Sequence, residues 1–490
     1  LENLQIETAD TAKYGWIVQF SGNSRHNQIL NCTFISPPDT LTKSNYCGII
    51  FSDKDTYVAE GTMSSHNTIR GNTFIRGYYG VFIRGFQYDG YHAVENVVDG
   101  NTFTDILESG VEINFTTNTL ISNNEISRPN VTKTWASFRG IGMNNKNLGC
   151  EIFNNTIHNP NGSIATYSNM YYGIYVYNVI ADAASENLIF NNMIYNMNGN
   201  GILQGIHVSS SENMTFANNT VSLDHQDSAS LSVVGINLEG PSKNIKFQNN
   251  IVSIERPNLN RDITMISLRG KHDSLLFENN VYHHPTAGTG NDLFAKEGQT
   301  NFNTLGDWQN QGSNFDSTSI SADPAFPDPT LGLLQPSNDT VSNLGKPLMF
   351  VTDDIYGFSR STSNPDPGAI EFDSNDVAIV NIFKNYDNSS CLIDSTPLTI
   401  VVLNNSSSMT SQIPIRTTIH AKGFSLTLID TIQVNLQPGQ LYNFVPFFQD
   451  SLPKIFYQDG EYAVQSFVSY PSDTRAHNDT MRVKLNMNVI

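Results

Sequence analysis

The chain has 490 residues and a formal net charge of −19, with only 15% charged residues and abundant Asn, Ser, Thr and Gly. Such a balance repels phosphates and anionic lipid, and no basic patch with interleaved aromatics occurs, so nucleic acid is excluded as a partner. No run of about 18 apolar residues exists, so membrane insertion is not expected either. Weak charge together with many turn formers points to an all-β class.

The first pattern in chain order is a repeat: apolar, any, Asn or Gly, Asn, any, apolar. Its copies are ILNCTF (29–34), IRGNTF (69–74), VDGNTF (98–103), ISNNEI (121–126), IFNNTI (152–157), IFNNMI (189–194), FANNTV (216–221), FQNNIV (247–252) and FENNVY (277–282). Between copies lies a glycine-led strand: GIIF at 48, GVFI at 80, GVEI at 110, GIGM at 140, GIYV at 173, GIHV at 205 and GINL at 235. The Asn positions recur every 31 residues or so on average. Alternation of period two predicts strands, and a period of this length predicts stacked coils that acquire their core from neighbours. The Asn pair has a mechanical reading: Asn tolerates left-handed geometry at a tight bend, and its amide can reach the Asn one coil away. Gly71 and Gly100 replace the first Asn, as expected where a positive φ is demanded.

Further along, beyond the last copy of the repeat, come WQNQGSNFDSTSISADPAF (308–326), LLQPSNDTVSNLG (333–345) and DIYGFSRSTSNPDPGAIEF (354–372). From Val377 the rhythm stops. Short alternating strands at 377–383, 398–405, 412–421, 425–436, 441–447, 462–470 and 481–490 then predict a β-sandwich over 377–490. Four cysteines, Cys32, Cys47, Cys150 and Cys391, fit neither a disulfide scaffold nor a zinc pattern. Cys32 and Cys47 are close enough in sequence to pair, but single buried thiols are the expectation. The pattern is already under way at Leu1, so a processed or partial chain of a longer polypeptide is expected.

Residues 1 to about 372 resemble the right-handed parallel β-helix family, with about nine or more coils, and the closing segment resembles the ends of many secreted bacterial β-helix proteins, which implies a C-terminal cap, about 290–372, that covers the last coil and blunts its exposed strand edges. The stretches LQPGQLYNF and YAVQSF…HNDTM resemble Ig-like adhesion-type modules of cell-surface proteins in Bacteroidetes, which export such chains through the type IX system. That resemblance implies a secreted or cell-surface location, with glycans or other surface proteins as partners. Asp-Ser/Thr-apolar triplets resemble the O-glycosylation sequon of that phylum and would mark Thr11, Thr40, Ser228, Ser274, Thr340, Thr431, Ser451 and Thr480.

With apolar residues of the glycine-led strand inward, the residues between them should point out and stack in columns. One column reads Phe82, Glu112, Gly142, Tyr175, His207, Asn237, Ser267, and the next Arg84, Asn114, Asn144, Tyr177, Ser209, Glu239, Arg269. Enzymes of the resembled family work on polysaccharides laid along such a strip. A lyase or epimerase would need a base, His207 or Tyr175, and a cation such as Arg269 to neutralise a uronate, with Glu239 alongside. A non-catalytic contact strip of Arg84, Glu112, Asn114, Asn144, Tyr177 and Asn237 is the competing expectation. The polygalacturonase motif set is absent, with Asp353 and Asp354 in the cap, off the strip; no clustered Asp run, RTX repeat, Walker, HExxH, GxSxG or CxxC motif occurs. His283 and His284 beside Pro285 read as a turn. No metal or cofactor is expected. The leading expectation is a structural or adhesive segment of an exported surface protein, the alternative a polysaccharide lyase, C5-epimerase or hydrolase.

Overall fold

The computed structural model describes residues 1–8, 15–37, 46–54, 61–88, 90–131, 137–162, 169–199, 201–225, 231–256, 262–311, 315–372, 376–384, 398–406, 408–421, 424–446, 460–471, 473 and 478–487. The described chain divides into two compact units. The first comprises Leu1–Pro324, Asp328–Leu334 and Thr340–Glu371, and the second is built mainly from Phe372–Ile490.

The first unit is a parallel β-helix. One coil runs from Ile202–Ser209 in sheet C to Glu212–Ala217 in sheet A and Thr220–Ser222 in sheet B. Among the described residues sheet B holds 11 strands, from Gln5–Glu7 to Ile320–Ser321; sheet A holds nine, from Gln28–Leu30 to His272–Glu278; sheet C holds 11, from Gly15–Phe20 to Thr300–Phe302. Like residues stack on like inside: Phe34, Phe74 and Phe103 form one column with centroids 5.0 and 4.7 Å apart, and Phe216, Phe247 and Phe277 another at 4.8 and 5.1 Å.

The two residues of each Asn pair do different jobs. The first makes the bend between sheets A and B with φ from 51° to 56° at Asn31, Asn123, Asn154, Asn191, Asn218, Asn249 and Asn279, and Gly71 and Gly100 stand at the same place. The second is buried and forms a ladder. Each Nδ2 donates to the next Oδ1 at 2.9–3.0 Å through Asn72, Asn101, Asn124, Asn155, Asn192, Asn219, Asn250 and Asn280. The sequence reading had given both roles to the pair as a whole.

Glycine at the head of each sheet C strand has a packing cause. A Cβ on Gly205 would lie 2.3 Å from Val221 Cγ1 and 2.8 Å from the Gly235 carbonyl oxygen. The backbone therefore turns its Cα inward there, and strict alternation is broken. The residue before the glycine returns to the outer face, where Cys47 and Tyr79 form a small cluster with Ile50 and Phe82. Cys47 thus lies outside the coil and Cys32 in the interior core, so both are separate buried thiols, as is Cys150. Cys391 lies outside the described residues.

The closing segment splits. Leu293–Glu297 and Thr300–Phe302 pair antiparallel and end sheet C. The helix Leu305–Gln309 then lays Trp308, fully buried, against Phe277, Phe302 and Phe315. Residues 344–368 cover no coil end. They run back along the bend between sheets A and B, taking hydrogen bonds from the outward Asn side chains: Asn279 to Leu344 O at 2.8 Å, Asn249 to Lys346 O at 2.8 Å, Asn191 to Asp353 O at 2.7 Å and Asn218 to Asp366 O at 3.0 Å. Asp354 is a turn builder there, accepting from the amides of Tyr356, Phe358 and Glu371. His283 ends a strand, Val281–His283, rather than sitting in a turn.

The second unit consists of antiparallel sheets. Val377–Lys384, Leu398–Asn404 and Leu441–Phe444 form one; Phe424–Ile432, Ile413–Ala421, Gly460–Val468 and Thr480–Met487 form the other. Both contribute to one core that includes Val377, Ile400, Val402, Ile415, Ile419 and Val464. This arrangement is compatible with a β-sandwich.

The division of labour in the Asn pair is testable. Asn192→Ala removes two acceptances from Asn155 and the donations to Ile152 O, Phe190 O and Asn219 Oδ1, leaving buried polar groups unpaired, and should cost about 3 kcal/mol in urea denaturation. Asn154→Gly, at a φ of 55°, should stay within about 1 kcal/mol of the parent. Equal costs would contradict the split.

Candidate active site on the outer face of sheet C

The two columns exist in register. Phe82, Glu112, Gly142, Tyr175, His207, Asn237 and Ser267 are successive pairing partners, and so are Arg84, Asn114, Asn144, Tyr177, Ser209, Glu239 and Arg269. The expectation that they face open solvent is corrected in part: Glu112 is 4% exposed, His207 5% and Asn237 2%. One reason is a third outward column that alternation did not reveal: Tyr79, Ser109, Arg139, Tyr172 and Gln204, each just before the strand glycine. Its side chains crowd the same face. The signal was in the sequence as FRG, YYG and LQG, where glycine interrupts the period of two.

Gly142 makes room for the centre of the cluster. A Cβ there would lie 2.3 Å from Glu112 Oε2 and 3.5 Å from Arg139 Cδ. Into that gap Arg139 reaches with one guanidinium nitrogen, 3.1 Å from Glu108 Oε1 and 3.6 Å from Glu112 Oε2. Tyr78 donates to Glu108 at 3.2 Å and Asn144 donates to Glu112. The Arg139 guanidinium also sits 4.4 Å from the Tyr175 ring centroid. Tyr175 stacks on His207 one coil on, centroids 4.9 Å apart and planes 3° from parallel, and Tyr172 meets both rings edge-on. His207 Nδ1 lies 2.8 Å from Gln204 Oε1 and 3.0 Å from Asn237 Nδ2, so that nitrogen is engaged, while no hydrogen bond takes Nε2 among the described residues.

Burial sets the protonation states. Two carboxyls share one guanidinium in a desolvated place, and burial pushes Glu112 up to about 7 against the pull of Arg139. Burial raises Glu108 too. Burial disfavours the Arg139 cation, yet the attraction of Glu112 and Glu108 outweighs it and holds the guanidinium charged. Burial drives His207 down to about 4, so the imidazole is neutral at pH 7. The phenols of Tyr172, pushed up to about 12, and Tyr175 stay protonated, again through burial.

Other expected residues lie apart. Arg269 is exposed and two coils beyond His207, 3.5 Å from Glu239, so the cation brought to Tyr175 is Arg139 instead. Asn114 accepts from Asn145 at 2.7 Å, and Tyr177 is largely exposed. Among the described residues no group of three or more His, Cys, Asp and Glu is arranged to hold a metal ion. Of the sequon positions, Ser274, Thr340, Thr431 and Thr480 are described, while Thr11, Thr40, Ser228 and Ser451 lie outside the described residues.

No curated protein matches the chain. Among solved structures, the crystal structure of the periplasmic alginate epimerase AlgG is similar at 17% identity and a TM-score of 0.33, over 52% of this chain and 60% of that one. The family model described as the right handed beta helix region matches residues 10–290, the stretch in which the Asn ladder and the three parallel sheets were found. The chain is a member of the right-handed β-helix family.

Proposed function

We propose that the chain acts on a glycan across sheet C, by proton transfer from Glu112 during cleavage of a glycosidic bond. The observation that carries this reading is Glu112 itself: a carboxyl with a value near 7, lodged beside Gly142, Arg139 and Asn144, and followed along its column by Tyr175 and His207. A general acid works best with a value near the ambient pH. In the step, the protonated Glu112 carboxyl gives its proton to the glycosidic oxygen as the C–O bond breaks, water supplies the hydroxyl at the sugar carbon, and the proton that water loses goes to the Glu108 carboxylate and from there restores Glu112. Glu108 is the second carboxyl, tied to the same guanidinium, and His207 Nε2, which no hydrogen bond takes among the described residues, is available to a sugar hydroxyl. Lyase and epimerase chemistry is disfavoured by the direction of the shifts, because a base needs Tyr175 lowered and His207 near neutrality, and burial moves both the other way.

A second reading, a rod that holds a glycan or protein without altering it, is favoured by the low exposure of Glu112 and His207 and by the exposed Tyr177 and Arg269. On either reading we take the second unit as an Ig-like module of an exported surface protein, which its antiparallel sheets and shared core support.

Incubation with neutral and uronate glycans, read for new reducing ends and for unsaturated products, separates the readings. New reducing ends without unsaturation are expected, and Glu112→Gln should lower that rate by about 100-fold or more. Unsaturated products would reject the hydrolytic step, and binding without any product would favour the contact reading. The protonation state has its own measurement. Burial holds Glu112 at about 7, above the ordinary glutamate value of 4.5, so its contribution to stability is full below about pH 4.5 and is lost as pH rises through 7. Glu112→Gln should therefore flatten the fall in stability between pH 5 and 8 by about 3 kcal/mol. For the sequons, intact mass of the native protein should exceed the polypeptide mass by whole sugar units; an unmodified mass removes that proposal.

A further inference from the structure

Next to the carboxyl pair, toward the core, lies an arginine that the proton transfer has not used. Arg128 follows the sheet B strand Glu125–Ser127, and its side chain is fully buried at the turn toward sheet C. Nη1 donates to the Leu107 carbonyl at 2.9 Å, and the guanidinium carbon lies 4.6 Å from the Phe138 ring centroid. Nε and Nη2 are buried and make no hydrogen bond among the described residues. Three groups act on the charge: Tyr171, Asp105 and Glu108. Two are engaged elsewhere, since the Tyr171 hydroxyl donates to Asn161 Oδ1 at 2.9 Å and Asp105 accepts from Asn130 at 2.9 and 3.1 Å. Burial pulls the Arg128 value down to about 10, which leaves it a cation at neutral pH. For stability alone, an apolar side chain would fill such a place at lower cost.

Arg128 touches both segments that build the pair. Leu107, whose carbonyl it holds, precedes Glu108, and Phe138, whose ring it lies against, precedes Arg139. The Arg139 amide donates to the Glu108 carbonyl at 2.8 Å, so the two segments join at this point. From the coil before, the Gly77 and Tyr78 carbonyls take the Leu107 and Glu108 amides, both at 2.9 Å. The surroundings of the two carboxyls then differ. Around Glu108, burial raises the carboxyl most, while Arg139, the Tyr78 hydroxyl and Arg128 oppose it; the phenols of Tyr79 and Tyr172 also feel its charge. Around Glu112, burial again leads, opposed by Arg139 and Ser109 and reinforced by Glu108, with Tyr79 and Tyr175 nearby. Both carboxyls share Arg139; Arg128 acts on Glu108 alone of the two.

We propose that Arg128 is a positioning residue for the cleavage step: it pins the Leu107–Glu108 turn and, as a buried cation facing Glu108 and not Glu112, makes Glu108 the carboxylate of the pair and leaves the proton to Glu112. This rests on the proposed proton transfer from Glu112 and adds what gives two carboxyls on one guanidinium their different roles. A charge withdrawn from water acts on its neighbour with little screening, so one interior cation is enough to separate them.

The test is carboxyl NMR of the whole protein isotopically labelled in glutamate, with Glu108 and Glu112 assigned by their Gln variants, in parent, Arg128→Gln and Arg128→Lys forms. In the parent, Glu108 should titrate below Glu112. Arg128→Gln keeps a donor for Leu107 and loses the charge, so the Glu108 midpoint should rise by about one pH unit or more and the order of the pair should be lost. Arg128→Lys keeps the charge and should restore the order. With a cleaved glycan in hand, Arg128→Gln should move the acid limb of kcat/KM to higher pH by the same amount, with KM within about twofold of the parent. Titrations that Arg128→Gln leaves unmoved, whatever stability is lost, overturn the proposal, and so does Glu108 titrating above Glu112 in the parent. Should Arg128→Gln fail to fold, adding Glu108→Gln is expected to restore folding, because the carboxyl that lost its cation is then neutral; a double variant that stays unfolded overturns the charge role. An Arg128-dependent order in a protein without turnover leaves the assignment standing and rejects the hydrolytic reading; turnover with an Arg128-independent order does the reverse.

Discussion

The buried asparagine ladder is the interaction on which the rest depends. The strands of sheet B and the earlier strands of sheet A are about three residues long, so each has few backbone hydrogen bonds with which to set its register. A side-chain amide that both donates to and accepts from its neighbours one coil away can do so at one register only. From Asn72 to Asn280 the ladder repeats that bond with nearly constant length. Once coils are locked in this way, phenylalanines stack on phenylalanines inside, and outward residues line up as columns outside.

The ladder also frees the residue before it. With the bend made by a left-handed Asn whose side chain points away from the core, the outer corner presents a row of amides. The segment from Leu344 to Gly368 uses that row as its binding surface, so a device that turns the chain also fastens its later part. Gly368 has its amide on the Asn249 carbonyl at 2.7 Å, which closes the contact from the other side.

The candidate centre follows from a second constraint, the close approach of successive glycines in sheet C. A Cβ at these positions would strike both the next glycine carbonyl and the facing sheet B side chain. The backbone answers by breaking its alternation, and that break turns Arg139, Tyr172 and Gln204 outward beside Glu112, Tyr175 and His207. Gly142, in the middle of the outer column, then leaves the gap in which Glu112 and Arg139 meet. Crowding so many polar side chains on one face removes them from water, and desolvation moves Glu112 toward 7 and His207 toward 4.

Much of this was legible in the linear sequence, because repetition and period are local properties. The Asn pairs announced a stacked helix, and the glycine-led strands carried the outer columns in the register that the strands adopt. That register puts Asn144, Tyr175 and His207 on the outer face. What the sequence could not carry was anything that depends on where alternation fails, or on what a side chain meets across coils. Arg139 is absent from a strict period-two reading since the kink at Gly140 turns it outward. Arg269 looked like the cation for the strip, yet pairs with Glu239 at an exposed place two coils off. The identity of each residue on the outer face was set by the chain itself; which of them meet, and which are withdrawn from water, was decided by tertiary packing, because burial and charge depend on neighbours that are some 30 residues distant in sequence and one strand away in space.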